Sequence, residues 1–511
     1  MTVEAARTES SDSDVGSVAS RPGYGQAAVG GSAWAILQVL VSKFVSLIGS
    51  VIVSWILVPS DIGLAALAFA TLSIPILLSP SLLSDILIQR KDEARELARA
   101  ATRLAWWSGA IGAIVASAVA PIIAYLYKEP ALLLLMPLAT LRHLASSGGI
   151  AALSRLRLDL RFRDIARVGN VAVVVANASS IGLALLGLGP ASIILGQVLA
   201  NITSAIGHNR LSRATDGGDA RRWRELVRPY LALSCAQWIH GLSVVAGTLC
   251  LGLVVTTDVV GLFSFAFALS AQVNTILAYN IGIVLQPIFS HLQDNPARQT
   301  QGFIRACSIM AAIATPVSLA QAAVATPLLR CVYADQWMPA APALAILSVA
   351  QLLGFAAGPT NAILKAQGRF RTLAYWQAAQ TLVLVGSLFL LSSRFGLIGA
   401  AAALAIQSAV FGPLGIWLVT HGRGGSLASA LGILLRPLLA GLPIFASIWY
   451  LAERHASSTG LAWAILLGGP VVGVSLYVVL FRFVDPATFH DARRILSGLI
   501  SRVRRVKPGA T

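Results

Sequence analysis

The chain has 511 residues, 56% of them hydrophobic and only 12% charged, with a mean hydropathy of +0.76. Soluble domains carry about 25% charged residues, so a soluble fold is excluded. A net charge of +17 would suggest nucleic acid in a soluble chain, but here it first raises the question of which side of a bilayer the charge occupies.

Residues 1–30 are polar and rich in Ser, Gly and Ala, which predicts a disordered cytoplasmic tail. No short apolar core with a small-residue cleavage site follows a charged start, so a cleaved signal peptide is not expected; the run from about Ala33 acts as an uncleaved anchor. At about 20 residues per crossing, apolar runs bounded by Pro, Gly and charges predict helices near 33–57, 62–85, 104–126, 131–152, 166–186, 190–207, 229–254, 261–288, 304–326, 341–364, 373–391, 397–419, 433–451 and 461–481. The expected fold class is therefore all-α: a polytopic membrane protein of about fourteen transmembrane helices with both termini on one side.

With the N-terminus cytoplasmic, 32 Lys and Arg fall on the cytoplasmic side and four (Lys128, Arg330, Arg394, Arg454) on the other; Lys43 and Arg142 fall within helices. Short loops rich in Lys and Arg are retained in the cytoplasm, so this asymmetry sets the orientation. The outward loops are short, leaving no room for the catalytic site of a membrane glycosyltransferase or polymerase. The C-terminal stretch places Phe489, Ile495, Leu496, Leu499 and Ile500 against Arg493, Arg494, Arg502, Arg504 and Arg505, predicting a basic amphipathic helix along the cytoplasmic leaflet.

Two internal echoes suggest duplication. Asp61-Ile62-Gly63-Leu64 followed by AALAFA matches Asp258-Val259-Val260-Gly261-Leu262 followed by FSFAFA, and Gly187 through Gln197 matches Gly396 through Gln407. Both pairs are six spans apart. The expected organisation is a tail (1–30), an N-lobe (31–228, helices 1–6), a C-lobe (229–426, helices 7–12), two appended helices (427–482) and a basic tail (483–511). Parallel repeats of this kind place a substrate path between lobes that rock in alternating access.

Polar residues within spans are the candidate site, because a Lys or Arg at a helix centre costs about 2.5–3.5 kcal/mol on insertion scales. In helix one, Gln38, Ser42, Ser46, Ser50 and Ser54 recur every four residues, and Lys43 lies about 20° from Ser50 on a helical wheel. Helix four carries Arg142 and His143; helix five aligns Arg167, Asn170 and Asn177; His240 and Asn274 lie in helices seven and eight. Each has a bland alternative: snorkelling for Lys43, packing for the histidines, interhelical hydrogen bonding for the asparagines. All 21 acidic residues fall in tails, loops or helix ends, Asp85 being nearest an interior position. A cationic cavity without a carboxylate suits an anionic substrate such as a phosphate, diphosphate or uronic acid, and disfavours a cation exporter.

Cys235, Cys250, Cys307 and Cys331 form no CxxC pair or metal spacing and read as apolar fillers. No Walker A pattern, His/Cys metal set or serine-nucleophile elbow is present, so no catalytic residue, metal or cofactor is expected and the chain reads as a non-enzyme. No nucleic-acid partner is expected either.

The stretch from Ser54 to Asp92, SWILVPSDIGLAALAFATLSIPILLSPSLLSDILIQRKD, resembles the "L-x-P-x-D-F-G-L" turn and following helix of the polysaccharide-transporter (Wzx-type) flippases, in the multidrug/oligosaccharidyl-lipid/polysaccharide superfamily. Ile62 stands where that family often has Phe. Arg155 to Val171, Leu285 to Asn295, Asp335 to Leu353 and Ile363 to Arg371 extend the resemblance over roughly residues 30–480. It implies a two-lobed carrier for undecaprenyl-diphosphate-linked oligosaccharide, a polyprenyl-diphosphate-linked sugar, in the bacterial inner membrane, for exopolysaccharide, O-antigen or capsule. Membrane lipids, a polysaccharide polymerase and a chain-length regulator are the implied partners. The family offers no catalytic motif to transfer, so the site residues rest on the sequence itself. The runner-up reading is a MATE-like drug or cation antiporter.

Overall fold

A computed structural model describes residues 41–72, 80–212, 218–292, 294–455 and 458–494, with side chains described throughout except at 232, 235–240, 242–244, 273–284 and 286–288. The N-terminal tail, Gln38, Pro75 and most of the basic C-terminal tail therefore lie outside the described residues. Among the described residues the chain is helical without a strand.

The first half comprises α1 (Val41–Ile56), α2 (Pro59–Thr71), α3 (Ser81–Gln89), α4 (Ala94–Tyr127), α5 (Leu132–Ser147), α6 (Ile150–Leu158), α7 (Phe162–Leu185) and α8 (Pro190–Ser212). The second half runs through α9 (Trp223–Val254), α10 (Thr257–His291), α11 (Pro296–Ala323), α12 (Ala325–Val332), α13 (Ala341–Ala356), α14 (Pro359–Ala366) and α15 (Phe370–Thr420). Two further helices follow, α16 (Leu427–Arg454) and α17 (Thr459–Val484), and then a helical segment over 486–494. Pro59 opens α2, where its missing N–H costs nothing, and the Asp61 carboxylate accepts from the Val58 N–H at 3.3 Å. α15 covers two of the expected segments, which meet at a kink where Gly396 adopts φ 52°.

Every expected apolar segment overlaps helical backbone. Eight described stretches are each long and apolar enough to cross a bilayer, and large apolar side chains such as Ile114, Leu439 and Leu467 stand exposed along them, as on a lipid-facing surface.

The glycines of the sequence echoes fall at helix breaks, turns and a helix crossing. The segment expected over 131–152 breaks at Gly148-Gly149, between α5 and α6, and that over 341–364 breaks at Ala357-Gly358, between α13 and α14. Gly149 and Gly358 are 209 residues apart, the same separation as the turn glycines Gly187 and Gly396. Gly63 and Gly261, the glycines of the other echo, meet where α2 crosses α10: a Cβ on Gly63 would collide with the Thr257 carbonyl oxygen, and one on Gly261 with that of Pro59. The contact is reciprocal, each glycine lying against the carbonyl of the residue four before the other.

The two ends of the bundle differ. At the end carrying the short loops, the halves are laced together. Trp337 Nε1 donates to the Ser54 carbonyl at 2.8 Å, Gln336 Nε2 to the Ser54 and Leu57 carbonyls at 3.0 and 2.9 Å, and Trp55 Nε1 to the Val332 carbonyl at 3.1 Å. The Tyr127 hydroxyl donates to the Leu249 carbonyl at 2.9 Å, and the Thr257 hydroxyl to the Glu129 carboxylate at 3.0 Å. The largest apolar cluster lies here, joining Leu67, Leu72, Met136 and Ile194 of the first half with Phe265, Trp337 and Leu344 of the second.

At the arginine-rich end, Arg222, just before α9, pairs with Glu93 (3.2 Å), Glu96 (2.8 Å) and Glu225 (2.8 Å). The hydrogen bond to Glu225 is the main cause holding the guanidinium above its usual range. Leu226 is buried beside Leu83, Ile86 and Leu97, and the Tyr230 hydroxyl donates to Ser108 Oγ at 3.1 Å, so the start of α9 belongs to the first half. Arg305–Asp491 and Arg436–Asp485 pairs, with Phe489 packed near Tyr477 and Phe481, anchor the start of the C-terminal segment; Ile495 and all later residues lie outside the description.

Candidate functional site

Arg142 lies on α5 facing α2, half-buried, with its guanidinium 4.9 Å from the centroid of the Phe69 ring. A cation over an aromatic face is attracted by the ring quadrupole, by about 2 kcal/mol when desolvated. Its Nε donates to His143 Nε2 at 3.4 Å, which requires that nitrogen to carry a lone pair. Arg142 and His143, adjacent in the chain, are thus in contact.

Lys43 is half-buried on α1, next to Ser42, whose hydroxyl donates to Asn170 Oδ1 on α7 at 3.1 Å. One side of the expected serine stripe is therefore used to dock α1 on α7. Ser50 and Ser54 donate to backbone carbonyls of their own helix, those of Leu47 and Val51. Asn177 lies against Gly49, where a Cβ would collide with its amide, and Asn177 Nδ2 donates to the Val173 carbonyl at 2.8 Å. Both asparagines thus make local or interhelical contacts, the blander of the two readings the sequence allowed. Arg167, aligned with them on the wheel, pairs with Asp164 at 3.7 Å near the arginine-rich end. His240 and Asn274 fall in α9 and α10, but their side chains are outside the described set, as is Gln38 entirely.

Among the described residues, neither Lys43 nor Arg142 has a carboxylate within 4.0 Å. Asp85, the most interior acid in the sequence, pairs with Arg157 at 3.2 Å, and Asp61 caps α2. Each of the two cations is therefore half-buried, Lys43 on α1 beside a hydroxyl docked to an amide and Arg142 on α5 beside an imidazole and a phenyl ring. Either can bind an oxyanion through charge-assisted hydrogen bonds, the Arg in bidentate fashion.

Sequence reasoning missed Phe69, although it sits in the AALAFA motif whose counterpart carries Phe267. It also gave no role to Gln336 and Trp337, which from the turn Asp335–Ala340 hold the halves together. Among the described residues no group of three His, Cys, Asp or Glu is placed to hold a metal, and Cys250, Cys307 and Cys331 are free thiols.

With this geometry in place, comparison with known families is decisive. The model of the family described as "Polysaccharide biosynthesis protein" matches residues 52–342, more than half of the chain. The chain belongs to this family. The succinoglycan biosynthesis transport protein ExoT of Rhizobium meliloti (strain 1021) is 22% identical over 487 residues, covering 93% of this chain and 96% of that protein. The teichuronic acid biosynthesis protein TuaB of Bacillus subtilis (strain 168) is 22% identical over 391 residues, covering 73% and 78%. Among solved structures, the lipid II flippase MurJ in an inward closed conformation has a TM-score of 0.67 at 12% identity, over 89% of this chain and 98% of that one. An inward-facing multidrug-resistance MATE transporter of the MOP superfamily scores 0.59 at 15% identity, over 78% and 96%. These likenesses place the fold of this family member among the MOP-type transporters. The protein is a multi-pass membrane protein of the polysaccharide-biosynthesis transport type.

Proposed function

We propose that the protein flips an undecaprenyl-diphosphate-linked oligosaccharide across the bacterial inner membrane for exopolysaccharide, O-antigen or capsule assembly. Fourteen crossings form an N-lobe (31–228) and a C-lobe (229–426) that rock in alternating access, with 427–482 appended and both termini cytoplasmic. The observation that carries this reading is Arg142: a half-buried cation on an aromatic plate in an apolar helix, with no carboxylate within 4.0 Å among the described residues, in a member of the polysaccharide-biosynthesis family. With Lys43 it meets the diphosphate or an acidic sugar, while Gln38, His143, His240 and Asn274 supply neutral polar contacts and Asn170 and Asn177 brace α7 against α1. The lacing of the short-loop end, taken as outward by the charge asymmetry, fits a state whose substrate path faces the cytoplasm, where the headgroup is loaded. The substrate's lipid tail stays in the bilayer, so only the polar head needs a protein path. A polymerase and chain-length regulator would receive the product. An antiporter for cationic drugs would need a buried acid, and the cations here are unpaired.

A deletion strain is expected to retain lipid-linked oligosaccharide on the cytoplasmic leaflet and to lose surface polymer; sugar analysis of the retained lipid then names the cargo. Undiminished surface polymer would overturn the reading. Reporter fusions after residues 92, 162 and 218 are expected to report cytoplasm, and a periplasmic signal at any one of them breaks the topology.

A further inference from the structure

A second polar site lies in the C-lobe, away from Lys43 and Arg142. Where α13 breaks into α14, the break and the facing parts of α15 enclose a cavity of about 200 Å³ lined by Thr360, Asn361, Trp376, Gln380, Gln407 and Ser408. Thr360 is 2% exposed, yet its hydroxyl has no hydrogen-bond partner. A buried hydroxyl left unpaired costs about 1–3 kcal/mol. Among the described residues, no protein group bonds the side-chain amides of Asn361, Gln380 and Gln407 either. Three apolar spans have therefore placed their hydrogen-bonding capacity around one small space.

The fold does not demand this space. Gly149, the first-half counterpart of Gly358, is packed tight: a Cβ there would lie 2.7 Å from Ala205 Cα. The equivalent break in the first half thus has Ala205 of α8 packed against it.

The chemistry of the lining selects the ligand. No charged residue lines it, which argues against a phosphate. An acyl chain would leave every amide unpaired. Each amide offers two donors and a two-lone-pair acceptor, the complement of hydroxyls that are donor and acceptor at once. Trp376, edge-on to Phe411 with centroids 5.1 Å apart, adds an apolar wall. The volume lies below the about 300–1,000 Å³ of drug-sized pockets and suits one ring rather than a whole repeat unit. The cavity opens along Gly354, Gly358 and Asn361, which are exposed on one face of the break, and Trp376 and Gln380 sit in the first three turns of α15, near the arginine-rich end.

We propose that this cavity is a binding site for a neutral sugar ring, a subsite that reads one hydroxyl-rich unit of the cargo while the N-lobe cations hold its charge. The substrate assignment rests on the flippase reading; the sugar chemistry of the pocket does not.

The test is binding to the full-length protein in lipid nanodiscs, followed by calorimetry, with glucose, galactose and N-acetylglucosamine as probes and inorganic pyrophosphate and NaCl against KCl as controls. Saturable binding of at least one sugar is expected, weakened about tenfold or more in Gln380→Leu/Gln407→Leu, with pyrophosphate binding unchanged. Thr360→Val, which removes only the hydroxyl at constant shape, is expected to weaken sugar binding in a protein whose melting temperature is equal or higher, because the unpaired buried hydroxyl is gone. No saturable sugar binding, equal binding in the variants, or a response to sodium alone overturns the proposal. Binding needs no turnover, so its failure is separable from that of the flippase reading: a deletion strain with normal polymer alongside variant-sensitive sugar binding sinks flipping and leaves the pocket standing.

Discussion

Replacing Lys43 and Arg142 together by alanine is expected to reduce polymer export at least tenfold while the protein reaches the membrane in normal amount. A hydrogen bond to a charged group contributes about 1.5–3 kcal/mol, and about 1.4 kcal/mol is a tenfold effect; each cation alone therefore supplies roughly one to two decades. Insertion gains from the change, because each charge removed relieves about 2.5–3.5 kcal/mol of cost at a helix centre. That separates a transport defect from a biogenesis defect. Arg142→Lys keeps the charge but loses both the planar fork and the fit over Phe69, so export falls between wild type and the alanine variant. Normal export by the double variant at normal membrane level would remove the cationic site from the mechanism.

The parts of this molecule legible in the sequence are those governed by one segment at a time. Twenty-residue apolar runs become helices because hydrocarbon leaves the backbone no other partner. The parts that were not legible depend on which segments meet. The wheel of α7 aligns Asn170 and Asn177 correctly, but it cannot tell that α1 covers that face and takes Asn170 through Ser42 and Asn177 at Gly49. Arg142 and His143 were legible as a pair because they are neighbours in sequence; Phe69, which completes their contact, lies on another helix. The cavity around Thr360 arises from a helix break meeting residues 376–380 and 407–412 of α15, and a void is a property of three surfaces that no single segment encodes. The glycine echo at Gly63 and Gly261 is an exception. There the repeat in the sequence already paired the two residues that touch.

The largest stability effect is expected at Trp337, and its readout bears on how the carrier moves. Trp337 is fully buried in the turn Asp335–Ala340 of the second half, 4.4 Å from the Phe265 ring, and its indole N–H bonds the Ser54 carbonyl in the first half. Truncating a buried Trp to Ala costs about 3–5 kcal/mol, and most of what is lost here is contact between the halves or packing beneath it. If the halves part at this end during transport, the share of that loss made between the halves, the indole N–H bond to the Ser54 carbonyl, falls on the laced state alone and shifts the population toward the open one by up to about tenfold. In a background without the four native cysteines, a Ser54→Cys reporter, at a position with no exposed surface, is expected to resist an outside, membrane-impermeant maleimide when Trp337 is present and to react in Trp337→Ala. Trp337→Phe keeps the ring contact and loses only the N–H, so it should fall between and remain informative if the alanine variant is poorly produced. Unchanged labelling in both variants at normal protein levels would mean that this end does not open.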